Sequence, residues 1–413
     1  MIQVIIFLVL VFIVSLVARR LQGTIITGPM VFTFAGIAAY FITPAIASHL
    51  PLASSIHVDS PIILKGGEVT LAIVLFGDAT SLSFKKVFAD RDLPGRLLLL
   101  GMPLTILMGA VIAFLLFRGS IPFWETAILA TILAPTDASL GAVVVNSKLV
   151  PQRIREALSV ESGLNDGLSM PFFVLFLALA GFELHGSSGT WIQFTVMQIG
   201  FGLLVGFVIG WLGGKSMNWS ERRAWMSEET PILAMLMLAI LAWGVANGVG
   251  GNGFIAAFVA GSTLRWSYSN AIKYAEDFEE SWGNLLVYFI FFFFGMLAAP
   301  LLAQITLVIW LYAFLSLTLV RMLPVSISLL GSNLRPGSIL FMGWFGPRGL
   351  ASVVLGLIYL EELTVINVNL SIILAVIATV LLSVLAHGVS AAPLSKAYAR
   401  YLSKQPADAP EFL

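Results

Sequence analysis

The chain is 413 residues long, 59% hydrophobic and only 11% charged, with a mean hydropathy of +0.97. A soluble domain carries about twice that share of charge, so the composition excludes one and points to a polytopic membrane protein. Lys+Arg and Asp+Glu balance at 22 each, which leaves no electrostatic case for nucleic acid, and the absence of cysteine removes disulfides, thiolate metal sites and cysteine nucleophiles. The four histidines, His49, His57, His185 and His387, show no metal-ligand spacing, so no zinc site is expected.

Apolar windows long enough to span a hydrocarbon core of ~30 Å recur along the whole chain. About thirteen are predicted, at 2–18, 25–46, 67–82, 97–117, 122–146, 155–180, 192–213, 231–247, 252–265, 283–302, 304–323, 338–359 and 370–392, the third and ninth being short. The first has no basic residues before it and no small-x-small cleavage site, and its Arg pair follows the apolar run. It reads as a retained helix rather than a signal peptide. With the N-terminus outside, nineteen of the 22 Lys and Arg fall on the cytoplasmic side, Arg321 among them. Lys65 and Arg118 fall outside and Arg348 within the membrane. That bias follows the positive-inside rule and supports the span count.

Two windows are interrupted. The fifth, "ILATILAPTDASLGAVVV", has Pro135 near its middle. The twelfth, "ILFMGWFGPRGLASVVLG", has Pro347 between Gly346 and Gly349. Proline removes a backbone donor and biases the preceding residue away from helix, while glycine permits non-helical dihedrals. Both helices are expected to unwind at mid-membrane, which is allowed only where the backbone is buried in protein or lines a cavity. They lie seven spans apart, so they run in opposite directions, the signature of inverted-topology repeats with discontinuous crossing helices.

Asp78, Asp137, Glu161 and Asp166 fall within spans, whereas Glu68, Glu125 and Glu156 sit near span ends, where capping or snorkelling suffices. A carboxylate at a helix centre costs about 2.5 kcal/mol or more to insert, so four such groups imply a role. Arg348 is the one basic residue expected at that depth. Ser162 and Asp166 are four residues apart and share a helical face; Glu161 and Asn165 share an adjacent one. Asp137 lies at a break, where freed carbonyls such as that of Thr136 can act as ligands. Carboxylates, a hydroxyl and a carbonyl form an all-oxygen set suited to a hard cation. Clustered buried carboxylates equally suit a proton. Cation and proton then compete, and a domain that moves only when neutralised exchanges one for the other.

The strings "LFGDA", "APTDAS", "ESGLNDG", "GNGFIAAFVAG" and "GPRGLAS" together resemble the sodium/proton exchangers of the monovalent cation:proton antiporter superfamily, in its NhaP-like branch, from about residue 5 to 400. The resemblance implies one all-α domain over residues 1–413 with thirteen transmembrane helices. A mobile core bundle would hold the broken helices around 122–146 and 338–359, and the remaining helices would form a homodimerisation domain. It implies Na+ held by Asp137, Asp166, Ser162 and the Thr136 carbonyl, with Asp78 as a supporting acid and Glu68 its competitor for that role. It also implies that Glu161 pairs with Arg348. Electrogenic relatives tend to carry Asp where this chain has Asn165, so Asn165 implies an electroneutral one-for-one cycle. A plainer role for Asn165 is an amide that braces the breaks.

The implied activity is Na+ or Li+ exchange for H+, with no cofactor, no enzymatic step and a bilayer as partner, in a prokaryotic plasma membrane with the C-terminus cytoplasmic. The alternatives are K+/H+ exchange and a sodium-coupled organic-anion symporter on a similar scaffold. An intramembrane aspartyl protease is excluded, because none of Asp78, Asp137 and Asp166 sits in a Tyr-Asp or Gly-x-Gly-Asp context. Neutralisable acids at broken helices favour alternating access over a channel. Gly202, Gly206 and Gly210 permit close helix packing with no transport role. "FIFFFFG" at 289–295 reads as a lipid-facing or core-filling run, and His387 as a packed histidine rather than a pH sensor. "GSSG" at 186–189 reads as a polar outer loop, and "SYSNAIKYAEDFEESWGN" as an amphipathic cytoplasmic segment.

Overall fold

The computed structural model describes residues 2–21, 24–47, 60–81, 93–185, 190–227, 229–278, 282–361, 369–406 and 409–412. GSSG at 186–189, His49 and His57 lie outside them. The described residues are helical, without strands. Helices α1 (Ile2–Leu21), α2 (Gly28–Ala47), α3 (Ser60–Ser81) and α4 (Leu93–Leu116) come first. The interrupted pair α5 (Phe123–Ile132) and α6 (Ala138–Val145) follows. Then come α7 (Gln152–His185), α8 (Thr190–Arg222), α9 (Thr230–Gly248), α10 (Gly253–Ser267) and the short α11 (Ala271–Phe278). The chain continues through α12 (Asn284–Ala298), α13 (Leu307–Leu317), α14 (Leu319–Ser328), the second expected pair α15 (Pro336–Trp344) and α16 (Leu350–Glu361), and α17 (Leu370–Leu402). Counting each interrupted pair as one pass and setting α11 aside leaves thirteen passes among the described residues.

Both expected breaks are present, and a third separates α13 from α14 at Thr318 (φ −104°, ψ −89°). That third break corrects the eleventh predicted window, 304–323. Its helix does not stop at 323 but runs on to Ser328, and Arg321 is buried at 2% exposure instead of lying on the cytoplasmic surface. Pro324 one turn on leaves the carbonyl of Val320 without its usual helical donor, which loosens this stretch.

Burial sorts the helices by position. In their most apolar stretches only 11% of α1 and of α8 is buried, against 67% of α7 and 78% of α17. α1 and α8 therefore lie on the outside of the bundle, while α7, with its acids, is enclosed. The phenylalanine run on α12 fills the core: Phe291, Phe292, Phe293 and Phe294 are all buried.

Two helix pairs are locked by glycine. On α8 a Cβ added at Gly206 would lie 2.5 Å from the Ala256 carbonyl oxygen, and one at Gly210 would lie 2.3 Å from that of Ala260. The backbones of α8 and α10 thus touch without intervening side chains. α2 and α12 do the same reciprocally, through Gly36 against the Phe292 carbonyl and Gly295 against that of Thr33. Small residues at four-residue spacing allow this approach, which dispersion and close packing reward within a bilayer.

Residues 409–412 fold back onto the bundle. Glu411 is fully buried and its Oε1 accepts from the Arg335 backbone amide (2.9 Å) and Ser338 Oγ (2.8 Å), capping α15, whose own N-cap side chain makes no capping bond. The Pro410 carbonyl accepts from the Arg153 guanidinium at the start of α7 (2.5 Å).

Gly210→Val is expected to lower thermal stability in detergent by about 1–3 kcal/mol, as overpacking does. Gly244→Ala, where an added Cβ meets nothing within 4 Å, should leave it unchanged or raise it slightly. Equal melting temperatures for the two variants would contradict the glycine lock.

Candidate functional site

The two breaks cross and satisfy one another. Asp137 is the N-cap of α6: its Oδ1 accepts from the Leu140 amide (2.9 Å) and from the Ser139 hydroxyl. Its Oδ2 accepts from the Leu350 amide at the start of α16 (2.6 Å). One carboxylate therefore caps two half-helices, each of which directs the positive end of its dipole at it. The Asp137 amide donates to the Pro347 carbonyl (2.8 Å), and Ser352 Oγ to the Ile132 carbonyl (2.7 Å). Gly349 makes the approach possible, since a Cβ there would fall 2.0 Å from Asp137 Oδ2.

Arg348 is fully buried and its guanidinium donates to the carbonyls of Ala134 (2.6 Å) and Pro135 (3.0 Å). It thus neutralises the negative end of α5. This corrects the expected pairing of Glu161 with Arg348. Glu161 on α7 is instead bidentate with Arg321 on α14 (2.5 and 2.8 Å), and both side chains are about 3% exposed. The guanidinium of Arg321 lies against Gly346 in the second break, where a Cβ would come within 2.2 Å of it. The expectation of a single cation at this depth therefore fails. The missed signal lay in "LVRMLPVSISLL", where apolar residues continue past Arg321 far enough to carry it inside.

The remaining acids are arranged around a cavity of about 190 Å³. Asp78 on α3, Asp137 at the first break and Asp166 on α7 all line it, with Ser139, Asn284 and Leu350. Asp166 is 5% exposed, and its Oδ1 is buried with no hydrogen-bond partner. Asp137, by contrast, has all its nearby donors committed to the helix ends. Ser162 and Thr136 lie on the other side of Asp137, lining a second cavity of about 10 Å³, roughly the room for one water. The proposed ligand set is thus brought to a single carboxylate, but on two faces of it. Ser162 Oγ donates to the Ser159 carbonyl of its own helix (3.1 Å).

Asn165 reaches across to the break, its Nδ2 donating to Thr136 Oγ1 (2.7 Å), so the amide does brace α7 against the first broken helix. Of the two candidates for the third acid, Asp78 lines the cavity. Glu68 is held by Lys65 (2.7 Å) one turn earlier, with Glu361 of α16 3.7 Å from the same ammonium. Among the described residues no three or more His, Asp or Glu side chains are grouped to hold a metal. Any cation at Asp137 and Asp166 must therefore complete its shell with hydroxyl, carbonyl or water oxygens. Asn284 was not legible as a cavity residue from the sequence, since it lies in no motif, and Ser139, the last residue of APTDAS, was passed over for its neighbours Thr136 and Asp137.

Two antiparallel broken helices that cross at mid-membrane, with buried acids at the crossing, define an inverted-repeat secondary transporter. The chain belongs to the transmembrane sodium/hydrogen exchanger family, which matches residues 5–397, a family of exchangers and not of enzymes. It is 29% identical over 248 residues to Na(+)/H(+) antiporter 2 of Zygosaccharomyces rouxii, covering 56% of this chain and 30% of that protein. It is 25% identical over 268 residues to the K(+)/H(+) antiporter NhaP2 of a Shewanella species, covering 62% and 44%. The fold is similar to that of the sodium proton antiporter MjNhaP1 of Methanocaldococcus jannaschii, with a TM-score of 0.73 at 21% identity, covering 94% of this chain and 99% of that one. The match spans about a third of the length of such curated relatives.

Arg321→Met alone strands the buried Glu161 carboxylate and is expected to cost about 3–5 kcal/mol of stability. Combining it with Glu161→Gln should recover most of that loss. A double variant as unstable as the sum of the singles, by thermal unfolding in detergent, would argue against the pair.

Proposed function

We propose that the chain exchanges Na+ for H+ across the membrane by alternating access, one for one and electroneutrally, with Li+ as an accepted substitute. The observation that carries this reading is Asp166: a buried carboxylate with an unpartnered oxygen, facing a cavity at the crossing of two broken helices. A buried charge in that state is costly, and a proton or a cation relieves the cost equally well. Binding of one excludes the other, and only the neutralised site crosses readily.

In this reading Asp137 supplies the fixed negative charge at the crossing and Asp166 the exchanging one. Thr136, Ser162 and water complete a cation's shell, and Asp78 supports the cavity from α3. The core bundle containing α5, α6, α15 and α16 moves against a scaffold that also forms a homodimer. Asn165 in place of a further acid favours one proton per cation. The N-terminus lies outside and the C-terminus in the cytoplasm of a prokaryotic plasma membrane, an orientation favoured by the distribution of Lys and Arg. A K+/H+ cycle is the second reading, favoured by the similarity to the Shewanella K(+)/H(+) antiporters.

The test is proton flux in proteoliposomes under an imposed pH gradient, with Na+, Li+ and K+ added in turn and the membrane potential clamped or free. Na+ and Li+ should each collapse the gradient at a rate that ignores the clamp, and Asp166→Asn should abolish the response. If cation and proton compete for one carboxylate, the half-saturating cation concentration rises roughly tenfold for each unit the pH is lowered on the acid side. A response to K+ alone replaces Na+ with K+. A clamp-sensitive rate removes electroneutrality. Folded wild-type protein that moves no protons with any cation removes the exchange reading.

A further inference from the structure

The first break is satisfied by the second: its freed carbonyls are taken by Arg348 and Ser352. In the second break the Arg348 amide lies beyond any helical acceptor, and the Trp344 carbonyl at the end of α15, which accepts the Gly346 amide (2.8 Å), has a second lone pair to offer. Both are taken by one face of α17. The Arg348 amide donates to Ser383 Oγ (2.6 Å), Ser383 Oγ lies 3.1 Å from His387 Nδ1, and His387 Nε2 lies 2.9 Å from the Trp344 carbonyl. Ser383 and His387 are both buried, at 0% and 1% exposure. Trp344 is tied to α17 a second time, its Nε1 donating to Ser390 Oγ (2.9 Å).

The chemistry fixes the hydrogens. Nε2 faces only a carbonyl, so it must carry a proton. Ser383 Oγ already accepts the Arg348 amide, so its own hydrogen is free for Nδ1, and a bare Nδ1 is the state that uses it. This neutral ring gives the Arg348 amide, the Ser383 hydroxyl and Nε2 each a partner, with the Ser383 carbonyl left to its own helix. A proton on Nδ1 would turn toward the Ser383 carbonyl (3.0 Å) and leave the serine hydroxyl without its acceptor.

We propose that Ser383 and His387 are positioning residues for ion exchange. As a neutral Nε2–H tautomer, His387 acts with Ser383 as the clamp that sets the second break against the first. The inference rests on the exchange reading above. Its reach follows from connectivity. The clamped segment carries Arg348, which holds the carbonyls next to Thr136, and leads directly into the Leu350 amide that caps Asp137. Loosening the clamp acts first on the Asp137 side of the site; it reaches the helix of Asp166 only indirectly, through Gly346 against Arg321 and Arg321 against Glu161. The effect should fall on cation affinity more than on maximal rate.

The experiment compares wild type, Ser383→Ala, His387→Gln, His387→Asn and the Ser383→Ala/His387→Asn double variant in the same proteoliposomes. The glutamine amide nitrogen reaches the position of Nε2 and can still donate to Trp344; asparagine, one bond shorter, cannot. His387→Gln should stay within about twofold of wild type, whereas His387→Asn and Ser383→Ala should raise the half-saturating cation concentration about fivefold to tenfold, the loss of one net hydrogen bond. The double variant should be no worse than the worse single, because both act through one clamp. Gln and Asn variants that behave alike, or additive effects in the double, would overturn the proposal. A second readout does not depend on transport: ¹⁵N resonances of the His387 ring, assigned by their loss in His387→Gln, should report a protonated Nε2 and a bare, hydrogen-bonded Nδ1. The opposite tautomer overturns the clamp even if exchange is normal. Wild type that moves no ions sinks the exchange reading, and the ring tautomer and the melting temperatures of the Gln and Asn variants still decide whether the clamp exists.

Discussion

The molecule depends on one carboxylate. Asp137 caps α6 through one oxygen and α16 through the other, and without it two half-helices would present unsatisfied amides to each other in the middle of a bilayer. Irregular backbone at that depth is tolerated only when every group finds a partner. The partners here are arranged reciprocally. The positive ends of two helices meet Asp137, the negative end of α5 meets Arg348, and that of α15 meets His387. The helix ends at the crossing are therefore electrically closed. Asp166, whose Oδ1 has no hydrogen-bond partner, keeps a charge that the helix ends do not consume, which is the property the proposed exchange requires.

The second consequence is a separation of duties between neighbouring residues on α7. Glu161 turns away from the cavity and is consumed by Arg321; Asn165 is consumed by Thr136; Asp166 lines the cavity with an oxygen to spare. Three polar residues within six positions thus serve an ion pair, a brace and a site. The helical period separates Asp166 from Glu161 and Asn165, which share a face, and the different elements packed against that face, α14 and the first break, separate those two.

Much of this was legible in the sequence, for identifiable reasons. The breaks were visible because Pro135, Pro347 and the flanking glycines act locally, and local effects survive being read one residue at a time. The thirteen passes were visible because the bilayer imposes a minimum apolar length. The partner of Glu161 was not. Arg321 and Arg348 both lie in apolar surroundings, and choosing between them requires knowing which helix lies beneath α7, a long-range fact. The third break at Thr318 was missed because no glycine marks it and Pro324 lies six residues away. The split of Ser162 and Asp166 between two cavities was also hidden. Their four-residue spacing places them on one face, yet they line different cavities, with Asp137 common to both.

The segment at 409–412 has a mechanical consequence. Glu411 grips the first turn of α15 and Pro410 holds Arg153 at the first turn of α7, so a short stretch of chain straps together the outer ends of the two helices that lead to the crossing and to Asp166. α15 has nine residues, a strut of about 13 Å, and a helix hardly shortens under axial load. Tension on the strap is therefore delivered to the break at its far end with little loss. The strap is a lever arm, and whatever pulls on it does work directly on the crossing of the two broken helices.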